Sequence, residues 1–218
     1  MWKATGMTSY DVIREFKRAN KPDYRVGHGG TLDPFAEGVL LLLLGKATKK
    51  MNDLMELPKT YLATAVLGAR SDTLDTTGEI RNQKSEIRNI SLKKIGEVAK
   101  EFVGEIEQEI PAFSAAKVKG VPRYKLARRG VEQERKTKKV TIYELEIKKL
   151  ELGKVTFEAK VSSGTYIRQL SYDVFGSLGI ESYLESLVRV RIGEWAREDC
   201  VQLADFTTEE WRDRVVQL

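Results

Sequence analysis

One cysteine, Cys200, and one histidine, His28, are all that this chain of 218 residues has of either type. A single cysteine excludes an internal disulfide framework and points to a reducing compartment, so a cytoplasmic location is expected. One His and one Cys build neither a Cys/His zinc cage nor an H-E-x-x-H pair, so no metal site is expected. A G-x-S-x-G elbow is missing, which removes the common esterase arrangement. Gly38–Lys46 imitates a phosphate-binding loop but fails it: Leu40 stands where the first glycine is required, and Ala47 follows Lys46 in place of Ser or Thr. Gly27, Gly29 and Gly30 do not complete G-x-G-x-x-G. Long apolar runs are also missing. The longest, Val39–Leu44, has six residues, against the roughly twenty that a membrane-spanning helix needs. The start, MWKATGMTSYDV, has no basic segment followed by an apolar one, so no secretory signal is expected.

What remains plentiful is carboxylates, basic side chains and tyrosine. Apolar residues at 41% and charged residues at 32% fit a folded, water-exposed globular chain and argue against disorder. The net charge is +5, and it is unevenly spread. Residues 117–139 carry ten basic side chains (Lys117, Lys119, Arg123, Lys125, Arg128, Arg129, Arg135, Lys136, Lys138, Lys139) against Glu132 and Glu134. That stretch is +8 and the rest of the chain −3. Clustered cations with Tyr124, Gly120, Pro122 and Gly130 between them suit a polyphosphate backbone; a solvated surface loop is the alternative.

The patterning predicts α+β. Thr8 and Asp11 form the signature of a capped helix that runs to Asn20, with Val12, Ile13, Phe16 and Ala19 on one face. Residues 25–38 read as a glycine-rich loop and Val39–Leu44 as a central strand, followed by a short helix near 47–56. Thr60–Leu67 alternates as a strand, with Tyr61, Ala63, Ala65 and Leu67 on one side. Ser91 caps a helix carrying Ile95, Val98, Ala99, Phe102 and Val103. Val140–Leu150 and Lys154–Val161 form a hairpin around Gly153, and a helix runs from about Tyr166 to Gly179. A strand at Val188–Ile192 and a last helix, capped by Thr207 with Glu210, complete the pattern. The expectation is a mixed or antiparallel central sheet flanked by helices, in a single domain over 1–218 with a basic arm inserted at about 111–139.

The loop GHGGTLDPFAEGVL (27–40) is the most informative stretch. Pro34 biases Asp33 to an extended backbone, and the glycines allow close approach of a ligand. On the residues alone, Asp33 reads either as a turn-initiating Asx residue or as a carboxylate presented to a ligand. The segment closely resembles the signature of TruB-type tRNA pseudouridine synthases, G-H-x-G-T-L-D-P-x-A-x-G-V-L. Four more segments resemble that family in order: Lys3–Ser9 its K-P-x-G-M-T-S, KTYLATAVLG with RSDTLDTTGEI (59–80) its Tyr strand and D-T-x-D-x-x-G loop, PAFSAAKVKG (111–120) its RNA-binding insertion, and SSGTYIRQL (162–170) its G-T-Y-I-R segment.

The resemblance implies an isomerase that breaks the glycosidic bond of a uridine, turns the base and rejoins it through C5, without cofactor or metal. It makes Asp33 the nucleophile, Arg168 the opposing cation and Tyr61 the aromatic that stacks on the flipped base. Tyr166 and Leu187 become pocket-lining residues, Lys3 a pocket support, and His28 an aid to RNA docking or base extrusion. Lys117, Lys119, Arg128 and Arg129 of the arm become phosphate contacts. The implied partner is the T-stem loop of tRNA, at the uridine conventionally numbered 55, with a monomer acting without an obligatory protein partner or membrane. Two departures stand out. Ala4 replaces the family Pro, and only two residues precede Lys3, so the strand expected before it is all but missing. About 25 residues follow Gly193, fewer than the family's C-terminal RNA-binding (PUA) module requires, so that module is expected to be absent. Two rival readings are a guide-RNA-dependent catalytic subunit and a non-catalytic tRNA-binding or folding protein. Cys200 and the tryptophans are expected only to pack.

Overall fold

The computed structural model describes residues 1–82 and 90–217. In chain order, β1 (Trp2–Lys3) and α1 (Ser9–Asn20) precede β2 (Val26–Gly29), β3 (Glu37–Val39) and β4 (Leu41–Leu44). A 3-10 turn at Gly45–Lys50, α2 (Met51–Glu56), β5 (Lys59–Leu67), β6 (Ala69–Ser71) and β7 (Ile80–Asn82) follow. Next come α3 (Leu92–Glu101), β8 (Gly104–Glu109), β9 (Lys117–Val118), β10 (Val121–Pro122) and α4 (Arg123–Ala127). The chain continues through β11 (Thr137–Glu151), β12 (Lys154–Val161), α5 (Ile167–Gly176), β13 (Ser182–Ile192) and β14 (Trp195–Ala196), then short 3-10 segments. The fold is α+β with a mixed sheet: β13 runs parallel to β3, while β1–β3, β11–β12 and β8–β11 are antiparallel.

Two compact units divide the chain, one made of Met1–Leu62 and the residues from Leu187 onward, the other of Ala63–Ser186. In the first, Val12 and Phe16 of α1 bury with Leu40, Phe206 and Trp211. Phe16 meets Phe206 and Trp211 edge-on, with centroids 5.1 and 5.0 Å apart. The capping box forms in both directions: Thr8 accepts from the Asp11 N–H, and Asp11 accepts from the Thr8 N–H. In the second unit β12, β11 and β8 lie side by side. Val155, Phe157, Ala159 and Val161 turn one face of β12 inward, and Leu170, Val174 and Phe175 of α5 pack on that side.

Three expectations need correction. The glycine-rich stretch is not loop throughout, because Val26–Gly29 pairs with β4, Val26 opposite Leu44. The apolar run is not one strand. Leu40 exchanges both backbone hydrogen bonds with Met1, and the run splits there into β3 and β4, which join different sheets. Its unbroken hydrophobicity reflects two burials, not one. The closing helix is a 3-10 segment, Glu210–Arg214, whose first N–H is met by Thr208 and not Thr207. The strand before the Lys3 motif is present in short form: Trp2 pairs with Val39 and Lys3 with Gly38.

Candidate functional site

In the first unit the residues around Asp33 are held from several sides. The Ala36 N–H donates to the Asp33 carbonyl at 3.1 Å, closing a turn over Pro34. Gly6 donates to the Pro34 carbonyl at 2.8 Å, and the Leu32 N–H donates to Ser9 Oγ at 2.9 Å. The segment Lys3–Ser9 therefore grips the turn on either side of Asp33. Arg189, 1% exposed, reaches in from β13. Its Nε donates to the Val39 carbonyl at 2.8 Å, and its two Nη atoms donate to Gly30 at 3.1 Å and Thr31 at 3.4 Å. Entry and exit of the loop are thus tied to one guanidinium, whose planar fork suits several acceptors at once. Gly38 is required at this crossing: its φ is +123°, and a Cβ would strike the Arg189 backbone.

Two buried lysines accompany this arginine. Lys3 donates to the carbonyls of Ala4 at 2.9 Å and Met7 at 2.7 Å. Lys59 donates to the carbonyls of Met55 and Leu57. Burial pushes the Lys3 ammonium down to about 8; Asp33 and Glu37 hold it up while Arg189 presses it down further. Lys59 also falls to about 8, by burial and by Arg189. Asp33 is half-buried and couples to the Lys3 ammonium, which the Ala4 and Met7 carbonyls hold in place. His28 lies on β2 opposite Leu42, with its Nδ1 sealed from solvent and no hydrogen-bond partner among the described residues. Burial, then Arg189, lowers its pKa. Tyr61 on β5 is 8% exposed and Leu187 on β13 is buried.

Arg168 and Tyr166 belong to the second unit. Arg168 lies in the first turn of α5 and is 4% exposed. Its Nη1 meets Asp75 Oδ2 at 3.2 Å and donates to the Thr73 carbonyl at 2.5 Å, and Nη2 donates to the Phe113 carbonyl at 3.0 Å. Asp75 is organised in turn. Its Oδ1 accepts from Thr73 Oγ1 at 2.7 Å, the Thr77 N–H at 2.8 Å and Thr77 Oγ1 at 2.5 Å. The D-T-x-D-x-x-G loop is thus a hydroxyl-lined socket for the Arg168 partner. Tyr166 is half-buried at the N-cap of α5, beside Gln108 of β8.

The arm has its own architecture. β9 and β10 pair through a turn at Lys119–Gly120, and α4 follows. Lys117, Lys119, Arg128 and Arg129 are exposed on it. Arg123 is not: it is 3% exposed, and its guanidinium donates to the Pro111 and Glu134 carbonyls. One of the ten basic residues therefore braces the arm from within. Sequence reasoning named the loop that holds Asp75 but not Asp75 itself, whose signal was the acid flanked by Thr73 and Thr77. It missed Arg189 and Lys59. The only hint of Arg189 was a charge two residues on from the inward Leu187. Cys200 is half-buried, its thiol pushed up by burial.

Residues 16–167 match the family described as TruB family pseudouridylate synthase, N-terminal domain. The chain is 42% identical over 209 residues to tRNA pseudouridine synthase B of Clostridium kluyveri, covering 95% of this chain and 71% of that protein. To the protein of the same name from Aquifex aeolicus it is 40% identical over 210 residues, covering 95% and 72%. Among solved structures it resembles a chain of a Cbf5-Nop10-Gar1 complex, with a TM-score of 0.72 and 30% identity over 94% of this chain. It also resembles one in an H/ACA RNP bound to a substrate RNA containing 2'-deoxyuridine, with a TM-score of 0.70 and 26% identity over 99%. The chain spans about half the length of these solved chains, 51% and 54%.

Proposed function

The chain belongs to the TruB family of pseudouridylate synthases, and on that premise we propose that it converts uridine to pseudouridine in the T loop of tRNA, at the position conventionally numbered 55. The observation that carries this reading is the Asp33 turn, a half-buried carboxylate coupled to the Lys3 ammonium, in a loop whose backbone Gly6, Ser9 and Arg189 hold at Pro34, Leu32 and Gly30. A carboxylate nucleophile needs such fixing, because a displacement of an ångström costs about 100-fold in rate. In this reading Asp33 attacks, Tyr61 stacks on the flipped base, and Arg168 supplies the cation. Tyr166 and Leu187 line the base pocket, Lys3 supports it, and His28 assists docking. The target base must leave its stack; stacking on an aromatic returns about 1–3 kcal/mol of that cost. Lys117, Lys119, Arg128 and Arg129 hold the RNA backbone. The protein acts alone, as a monomer, in the cytoplasm.

A second reading, a guide-RNA-dependent catalytic subunit, is favoured by the likeness to the Cbf5-Nop10-Gar1 structure. The 40–42% identity to proteins named tRNA pseudouridine synthase B supports the stand-alone enzyme over it. The test is to incubate the pure protein with unmodified tRNA transcript and map pseudouridine by carbodiimide treatment and primer extension. A stop at the T-loop uridine with protein alone is the expected result. Modification only after guide RNA is added supports the second reading, and none under either condition overturns both.

A further inference from the structure

Gln108 and Lys138 face one another across β8 and β11 and stand at the two roots of the basic arm. Both bear on Tyr166. Gln108 is fully buried; its Oε1 accepts from the Tyr166 N–H at 2.8 Å and its Nε2 donates to the Tyr166 carbonyl at 3.1 Å. A carboxamide carries a donor and an acceptor together and so satisfies both backbone groups of one residue. The Tyr166 N–H needs this, since α5 has no side-chain cap at its start; the Tyr166 carbonyl also accepts from the Leu170 N–H at 2.9 Å.

From the opposite strand, the Lys138 ammonium lies 4.8 Å from the centroid of the Tyr166 ring and donates to the Gly164 carbonyl. It occupies the space that a Cβ on Gly164 would fill, at a position whose φ is +75°. Among the described residues, no carboxylate pairs with Lys138. The half-buried ammonium is therefore spent on the ring and on the G-T-Y-I-R turn, unlike its exposed neighbours Lys136 and Lys139, which meet Glu134 and Glu105.

We propose that Gln108 and Lys138 are positioning residues for Tyr166, and that through them RNA engagement by the arm is coupled to the base pocket. Gln108 fixes the backbone of Tyr166 and Lys138 fixes its ring. Gln108 at one root of the arm and Lys138 at the other each touch Tyr166 directly. The inference rests on the reading of Tyr166 as a base-pocket residue.

The test uses the full chain with 3-fluorotyrosine at position 166, and Lys138→Met, Lys138→Arg and Gln108→Met variants. Fluorine NMR reports the ring, tRNA affinity is measured separately, and single-turnover rates are taken at saturating enzyme. Lys138→Met is expected to shift the fluorine resonance and to lower the saturating rate about tenfold or more, with affinity within about threefold of wild type. Lys138→Arg restores both, because a guanidinium also sits over an aromatic face. An unmoved resonance in Lys138→Met overturns the proposal, as does lost affinity with an unchanged saturating rate, which would make Lys138 a phosphate contact. Gln108 is buried, so its variant bears on the proposal only when circular dichroism shows it folded; the Lys138 pair decides regardless. If the wild type forms no pseudouridine, the functional reading fails, while the fluorine measurement still decides whether Lys138 positions the ring.

Discussion

Arg168 Nη1 and Asp75 Oδ2 meet at 3.2 Å with both side chains almost sealed from water, 4% and 5% exposed. Arg168 sits in the first turn of α5, where the helix dipole disfavours a cation. Asp75 offsets that, and three donors from Thr73 and Thr77 keep its other oxygen satisfied. Removing one member of such a buried pair costs about 3–5 kcal/mol. Asp75→Ala is therefore expected to lower the denaturant midpoint by that equivalent, and Asp75→Asn by less, since the carboxamide oxygen still accepts from Thr77. A loss below about 1 kcal/mol for the alanine variant would mean that water or a rearranged side chain replaces the pair.

Arg168→Lys separates charge from geometry. The guanidinium serves Asp75, the Thr73 carbonyl and the Phe113 carbonyl together. An ammonium keeps the charge but not the planar fork. Turnover is expected to fall while tRNA affinity changes little. Equal proportional losses in both would identify Arg168 as a phosphate contact.

Lys3 and Lys59 give a pH signature. Both have an ordinary value of 10.5 and stand at about 8 when folded, chiefly through burial. Below pH 8 both states carry the proton, and the buried charge is a constant cost. Between about 8 and 10.5 the folded protein releases protons that the unfolded chain keeps, so these sites add stability as pH rises. The stability of wild type minus that of Lys3→Met is expected to climb across this window in urea titrations. A flat difference would show that Lys3 stays protonated, held by Asp33 and Glu37.

The arm offers a contrast between two kinds of cation. Replacing Lys117, Lys119, Arg128 and Arg129 with Gln is expected to weaken all tRNAs alike and to flatten the salt dependence by roughly 0.7–0.9 per lost phosphate contact. These residues are exposed, so each replacement is expected to change stability by no more than about 0.5 kcal/mol. Arg123→Gln is expected to lower stability, because the Pro111 and Glu134 carbonyls lose their donor. An unchanged salt slope in the quadruple variant would place the RNA elsewhere.

Local features were legible where a short-range rule decides them. The Thr8–Asp11 box, the Ser91 cap, the alternation of Thr60–Leu67 and the Gly153 hairpin all came from spacing. The split at Leu40 was not legible, because its cause is a pairing with Met1, 39 residues away. Arg123 and Arg189 were hidden for the same reason. Nothing near them in sequence marks a cation that will be buried on backbone carbonyls, and only the fold brings Gly30, Thr31 and Val39 to Arg189. The Asp33 loop was legible through its resemblance to a family signature. The residues that hold the loop in place were legible only in part, through Lys3–Ser9.

Asp33→Asn isolates the chemistry proposed for that loop. The Asp33 turn depends on its backbone carbonyl, which accepts from Ala36, and on Gly6 at Pro34 and Ser9 at Leu32. None of these bonds uses the carboxylate, and Asn is nearly the same size, so the fold is expected to survive. What is lost is the negative charge and the nucleophilic oxygen. Losing a covalent nucleophile removes many orders of magnitude of rate when no other group takes its place. No pseudouridine is expected even with excess enzyme in a single turnover. Binding of tRNA is expected to hold or improve slightly, since a carboxylate facing an anionic RNA is gone and the Lys3 ammonium is no longer balanced by it. If Asp33→Asn converts uridine within about tenfold of wild type, Asp33 is a turn residue and another group performs the attack. If it loses both activity and tRNA binding, the carboxylate helps shape the loop after all, and the nucleophile assignment must then rest on trapping a covalent adduct with an RNA that carries 5-fluorouridine at the target position.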